Sequence, residues 1–210
     1  MVKNRLAALA AALFIPAAVG LLYQAGQPQP WPYRLLSISL MLMSLEQAHM
    51  ARFDLRQADL VERHQSDPRL QRFRWVVWLT IVGQVVGFSV TALGYLGWGM
   101  ALILLSLIGF NLAAGIRLEP GSAVPIQTAG WRSRFPVLVL DVITLVLALL
   151  WMAETAQPWV ASGVFTITML YGGGKVLAYV TDAWGWRGAA DSAIHVAHTA
   201  QEHPQPPQQN

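Results

Sequence analysis

The sequence predicts an all-α, polytopic integral membrane protein: six transmembrane helices arranged as three hairpins, with both termini on the cytoplasmic side. Three observations point there. Of 210 residues, 55% are hydrophobic and 12% charged, well below the roughly 25% charge of an ordinary soluble domain. Too little polar surface is available to cover a globule, which excludes the soluble-enzyme and disordered-chain classes. Uncharged runs of about spanning length recur along the chain, and a spanning helix needs about 20 apolar residues. Finally, the cations gather in alternate connectors.

The first span is expected over 6–24, because Leu6 to Tyr23 is uncharged and follows Lys3 and Arg5. Pro16 lies inside it and is expected to kink it, since proline removes an N–H and clashes with the preceding turn. A basic start before an apolar run also suits a signal peptide. The run is long for one, however, and Tyr23 to Gly26 is a poor small-residue cleavage site, so the segment reads as a retained span.

The second span is expected over 31–50. Its purely apolar stretch, Leu35 to Leu45, is short enough for a re-entrant segment, and the cation argument below decides in favour of crossing. Beyond it, Leu55, Ala58 and Val61 share a helical face and Asp59 precedes Arg63 by four residues, a stabilising spacing. A cytoplasmic helix over 51–65 is expected, attractive to anionic lipid or to a docking partner.

The third span covers 75–95. Ser66-Asp67-Pro68 ahead of it reads as a cap and first-turn proline, so the helix is expected to start before it enters lipid. The fourth covers 98–117, the fifth 135–153 and the sixth 158–180. Gly83 and Gly87, and again Gly109 and Ala113, have the four-residue spacing of small-residue helix packing. Connectors 94–99 and 153–158 are short, which makes tight hairpins, whereas the cytoplasmic loops are longer. The membrane domain is thus expected to cover 1–187. Residues 188–210, with His195, His198, His203 and a Pro-Gln-rich end, are expected to form a solvated, disordered cytoplasmic tail; no carboxylate at a fixed spacing completes a metal site there.

Threading the six spans places Lys3, Arg5, Arg52, Arg56, Arg63, Arg69, Arg72, Arg74, Arg117, Arg132, Arg134 and Arg187 on one side, and Arg34 on the other. Lysine and arginine are retained on the cytoplasmic side of membranes, so both termini are cytoplasmic, in a cell inner membrane or an equivalent internal membrane. The net charge of +3 follows from this bias and implies anionic lipid at the cytoplasmic face rather than nucleic acid. Tryptophans agree: Trp31, Trp98, Trp151 and Trp159 fall at the outer boundary, and Trp75, Trp78, Trp131, Trp184 and Trp186 near the inner one, as in an aromatic belt.

Chemistry can be argued only from the polar residues inside the spans, where ionisable groups are expensive and point to function. Glu46 and His49 lie near the inner end of the second span, Gln84 near the middle of the third, Asn111 on the fourth, Asp141 on the fifth and Lys175 on the sixth. At ~1.5 Å rise per residue from the outer ends, Asn111 and Asp141 lie roughly 18–20 Å deep, and Glu46 and Lys175 roughly 22–24 Å deep. One polar layer in the inner leaflet is expected, with Lys175 within reach of Asp141 or Glu46. Gly172, Gly173 and Gly174 precede Lys175 and permit close approach or local unwinding, a feature of transporter substrate sites. The bland alternative is a structural layer with Lys175 snorkelling to the headgroups.

No cysteine is present, which excludes disulfides, thiolate nucleophiles, Fe–S clusters and cysteine-ligated zinc. A single Glu46-x-x-His49 falls short of the two such pairs that a di-iron bundle needs. His49 is a candidate axial ligand for a pigment or haem. The expected function is therefore a non-catalytic scaffold, assembly factor or accessory subunit of a membrane complex, with membrane-protein partners or a second copy of itself. The alternatives are a small secondary transporter or channel using Glu46, Asp141 and Lys175, with Asn111 and Gln84 nearby, and a pigment- or haem-binding protein.

Overall fold

The computed structural model of the protein describes residues 2–62, 67–118 and 125–174. The expectations attached to Arg63, Lys175, Trp184, Trp186, Arg187 and the histidine-containing tail lie outside the described residues. Through Thr168 the chain forms one unit. In order, it contains α1 (Val2–Ala12), α2 (Ile15–Gly26), α3 (Trp31–Glu62), α4 (Pro68–Ala92), α5 (Leu96–Ala113), the strands β1 (Ile116–Leu118) and β2 (Ile126–Thr128), and α6 (Trp131–Met152). Residues 157–174 are helical as well; of the second unit, Met169–Asn210, only the helical residues 169–174 are described.

Proline accounts for the first break. Pro16 stands in the first turn of α2, where its missing N–H is one that no helix uses. The chain turns at Leu13 and Phe14, whose amides bond to Leu9 O (3.1 Å) and Ala11 O (3.2 Å). Because the turn keeps its hydrogen bonds, Leu6–Gly26 remains one apolar stretch long enough to cross a membrane.

α3 has 32 residues and is therefore about 48 Å long at ~1.5 Å per residue, against a hydrocarbon core of about 30 Å. It runs without interruption from the apolar segment into the charged one. α4 begins at Asp67, whose side chain accepts from the Arg69 backbone N–H at 2.8 Å, with Pro68 in the first turn. The ends of α3 and α4 are tied by Arg74, which donates to Asp59 (2.8 Å) and Glu62 (2.9 Å).

The segment after α5 holds a hairpin where the sequence suggested only a loop. Ile116 pairs with Thr128, Arg117 with Gln127 and Leu118 with Ile126, antiparallel. Gly115 enters it at φ 61°, a left-handed conformation that glycine adopts without strain. Ile116 and Ile126 are both buried, and Arg134 donates to Ile116 O at 2.9 Å. α6 starts at Trp131, four residues before the expected boundary of 135, so Pro136 lies inside the helix, in its second turn, where it removes one i→i−4 hydrogen bond.

α4 crosses α5 closely. A Cβ added to Gly83 would lie 3.2 Å from the Ser106 Cβ, and one added to Gly87 would lie 2.9 Å from the Gly99 carbonyl oxygen. Gly109, read from its spacing as a packing residue, has nothing within 4 Å of an added Cβ; that face of α5 is open. Phe14 meets Phe88 edge to face (5.9 Å), Tyr33 meets Trp151 (4.9 Å) and Phe73 meets Phe110 (6.2 Å).

Among the described residues, four helical stretches are long and apolar enough to cross a membrane: Leu6–Gly26, Pro68–Ala92, Leu96–Ala113 and Arg132–Met152. Their outer faces stay apolar. Val19 and Leu22 on α2, Leu79 and Val82 on α4, and Val142 and Val146 on α6 are all exposed. A helix that is hydrophobic all round belongs in lipid, and these stretches indicate a membrane protein. α3 and residues 157–174 are more polar and are not among the four.

Candidate functional site

Two pairs of polar side chains join neighbouring helices. On α6, Asp141 is 8% exposed and accepts from Asn111 Nδ2 of α5 at 3.0 Å. One turn later, Thr144 is buried and donates to Leu140 O at 2.8 Å, the bond that lets a hydroxyl sit inside an apolar helix. On α4, Gln84 is 2% exposed and donates to Gln47 Oε1 of α3 at 3.0 Å. A buried amide without a partner would be costly, and each of these is satisfied by a neighbouring helix.

Of the residues singled out in the sequence, Asn111 and Asp141 come together. Gln84 pairs instead with Gln47, which is not among the predicted site residues although it stands between Glu46 and His49. Glu46 is half-buried on α3 and His49 is exposed. Lys175, the proposed counter-charge, lies outside the described residues. Gly172, Gly173 and Gly174 have open space where a Cβ would stand.

Two further clusters sit at opposite ends of the bundle. At one end, Gln24 Nε2 donates to Thr91 O (3.0 Å) and Ala92 O (2.7 Å). These are carbonyls of the last turn of α4, past the reach of the helix's own ladder; Thr91 O also accepts from the Gly94 N–H at 2.9 Å. Arg34 donates to Ala25 O at 3.0 Å, and Gln157 donates to the Tyr33 hydroxyl at 3.2 Å. Gln24, Gln29, Tyr33 and Gly94 line a cavity of about 370 Å³ there. The connectors at 27–30, 93–95 and 153–156 thus gather at this end.

The other end holds Arg69, Arg74, Arg117 and Arg134. Arg74 bridges α3 and α4 there. Asp67 is chelated by the Arg69 guanidinium (2.7 Å), and that guanidinium first, with the Arg69 backbone N–H second, holds the Asp67 carboxyl below its ordinary range. A cavity of about 470 Å³ opens between α3, α4, α5, the hairpin and the start of α6, lined among others by Asp54, Gln57, Phe73, Phe110, Arg117 and Arg134. The Arg134 guanidinium stacks on the Phe110 ring, 5.2 Å from its centroid.

Chemically, the pairs within the helices are fastenings made by hydrogen bonds. Among the described residues, no group of three His, Asp or Glu side chains comes together to hold a metal ion. Comparison of the chain with protein-family models, with characterised proteins and with solved structures finds no match.

Proposed function

We propose that the chain is a six-span membrane protein with both termini cytoplasmic, and that it serves as a non-catalytic scaffold, assembly or accessory subunit of a membrane complex. Its membrane domain would comprise 1–187 and its cytoplasmic tail 188–210. Two helical regions join the four strongly apolar stretches in this reading, α3 and the helix beginning at 157. The grouping of connectors at two ends of the bundle, one of them arginine-rich, supports it. So does the length of α3, which is enough to cross the lipid and emerge by roughly 18 Å. By charge bias the arginine-rich end faces the cytoplasm, in a cell inner membrane or its internal equivalent, against anionic lipid.

One observation carries the scaffold reading: two buried polar pairs are engaged between helices, Gln84 with Gln47 and Asn111 with Asp141. The test is quantitative purification in mild detergent, followed by native mass spectrometry. Recovery in a fixed ratio with another membrane protein, or with a second copy, is expected; a lone monodisperse chain contradicts the proposal.

A second reading is favoured by the burial of Asp141, an ionisable group in an apolar helix, which marks ion pathways elsewhere. A small transporter or channel would lose its flux in Asp141→Asn while remaining folded. Unchanged flux in that variant removes this alternative.

A further inference from the structure

α3 packs on its neighbours by one side and leaves the other open. In its second half Leu45, His49, Arg52, Phe53 and Arg56 are exposed. At 3.6 residues per turn they form one stripe: Arg56 lies within about 20° of His49, and Leu45 and Phe53 flank His49 one turn to either side. Two hydrogen bonds set the height of this stripe, Gln84 to Gln47 and Arg74 to Asp59. Gln84 stands near the centre of the apolar part of α4, so His49, two residues beyond Gln47, is only about 3 Å from that level, and Arg56 is about 10 Å further on, towards Arg74. Ionisable side chains at membrane depth ordinarily face the bundle interior or a water-filled cavity. His49 faces outward, in the middle of the apolar layer.

A neutral imidazole is the commonest metal ligand of proteins and the usual axial ligand of haem iron. A metal held by an outward imidazole lies in front of the helix, and a planar ligand around that metal lies parallel to the helix axis, here over the apolar side chains of Leu45 and Phe53. The arginines are the second, independent observation. Arg56 is displaced from His49 along the axis by about 10 Å, a distance matching the reach of the propionate carboxylates from a haem iron, and Arg52 approaches the same edge from one turn nearer. A guanidinium is the preferred partner of a carboxylate. The acidic residues of α3 leave the stripe clear: Asp59 is buried and held by Arg74, and Glu46 and Asp54 are half-buried beside it. An apolar partner helix, or a pigment whose carboxyls are esterified, would leave the two arginines unanswered.

We propose that the open face of α3 binds an iron porphyrin with free propionates, haem in the simplest case, with His49 as an axial ligand, Leu45 and Phe53 against the ring, and Arg52 and Arg56 on the propionates. The layout places the ring in the apolar layer and its carboxylates at the arginine-rich edge. The depth of the ring rests on the reading of α3 as a membrane span; the alignment of ligand, platform and cations along one helix face does not.

Purified full-length protein in nonionic detergent is titrated with haemin and with haemin dimethyl ester, which keeps the ring and lacks the charges, and binding is read from the Soret band against detergent alone. The wild type should saturate at one haemin per chain with the band shift of imidazole ligation. His49→Leu should lose that shift, and His49→Gly should lose it and regain it when free imidazole is added, which a merely structural role for His49 does not predict. The wild type should bind haemin about fivefold tighter than its ester, the scale of exposed ion pairs, and the double variant Arg52→Gln/Arg56→Gln should bind the two alike while keeping the imidazole-type spectrum. Arg69→Gln and Arg72→Gln on α4, away from this stripe, should behave as the wild type. A wild-type spectrum no different from that of His49→Leu overturns the proposal, as does equal binding of haemin and its ester by the wild type. Loss of a dimer or of a co-purifying helix in His49→Leu, with no Soret shift in the wild type, would assign the face to a protein partner and overturn it as well. Helicity by circular dichroism checks folding; should His49→Leu fail that check, His49→Gln takes its place. Because the titration is done in detergent, its failure is separate from any failure of the proposed membrane topology.

Discussion

Gly87 on α4 stands against Gly99 on α5 so closely that a methyl group on Gly87 would come within 2.9 Å of the Gly99 carbonyl oxygen. Lipid offers no hydrophobic drive between helices, so their association depends on such close backbone approach. Gly87→Leu should force the crossing apart and destabilise the protein by about 1–3 kcal/mol, the usual cost of overpacking. Unfolding in mixed micelles by SDS titration measures this. Gly109→Leu, placed where an added Cβ meets nothing within 4 Å, should change the midpoint little; an equal loss in both variants would refute the assignment of the crossing.

Asn111 and Asp141 fasten α5 to α6. Interhelical hydrogen bonds in membrane proteins average about 0.6 kcal/mol, with a maximum near 1.7. A double-mutant cycle with Asn111→Leu and Asp141→Leu should return a coupling energy in that range. A coupling indistinguishable from zero would mean that the two side chains do not pair in the folded protein.

Gln24 satisfies two carbonyls at the end of a different helix, Thr91 and Ala92. Gln24→Leu keeps the volume and removes the donor. It should cost about 0.5–1.5 kcal/mol, the net contribution of an ordinary hydrogen bond, because Thr91 O keeps the Gly94 N–H and the Gln24 bonds are only partly buried, with Gln24→Glu no better because it too has lost the amide donor. The same micellar unfolding assay reads it.

Asp67 gives a pH dependence. The Arg69 guanidinium and backbone N–H lower the Asp67 pKa from its ordinary value of 3.8. A carboxyl whose folded pKa is depressed contributes its stability above the unfolded value and loses it as pH falls through the folded one. Protection of the Arg69 amide against hydrogen exchange, corrected for the intrinsic rate, should therefore hold near neutrality and fall progressively below about pH 4. Asp67→Asn keeps a capping oxygen and should flatten this dependence; an unchanged acid transition in that variant would contradict the assignment.

Much of the helical architecture was legible in the residues themselves. Pro16 announced a kink where the chain in fact breaks into α1 and α2, Asp67-Pro68 announced the start of α4, and the uncharged runs the four most apolar stretches. The partnering of side chains was harder to read. Counting residues along a helix gives depth, and it put Asn111 and Asp141 at one level, but it does not give rotation about the axis. Gln84 therefore found Gln47, which no depth argument distinguished from its neighbours Glu46 and His49. The Ile116–Thr128 hairpin escaped because each strand has three residues, too few for alternation to stand out; Ile116-Arg117-Leu118 and Ile126-Gln127-Thr128 show it only once paired. Gly109 shows the converse failure: small-residue spacing identifies a face able to pack without saying that this chain packs there.

The central claim is a bundle of six membrane-crossing helices whose arginine-rich end lies on the cytoplasmic side. The chain has no cysteine, so single cysteines can be introduced without background and labelled in intact cells with a membrane-impermeant thiol reagent. Cysteines replacing Gln29, Tyr95 and Thr155 should label from outside, and those replacing Arg56 and Thr128 only after the membrane is opened. Labelling of positions 56 and 128 from opposite sides, or of positions 29 and 95 from opposite sides, would contradict the account.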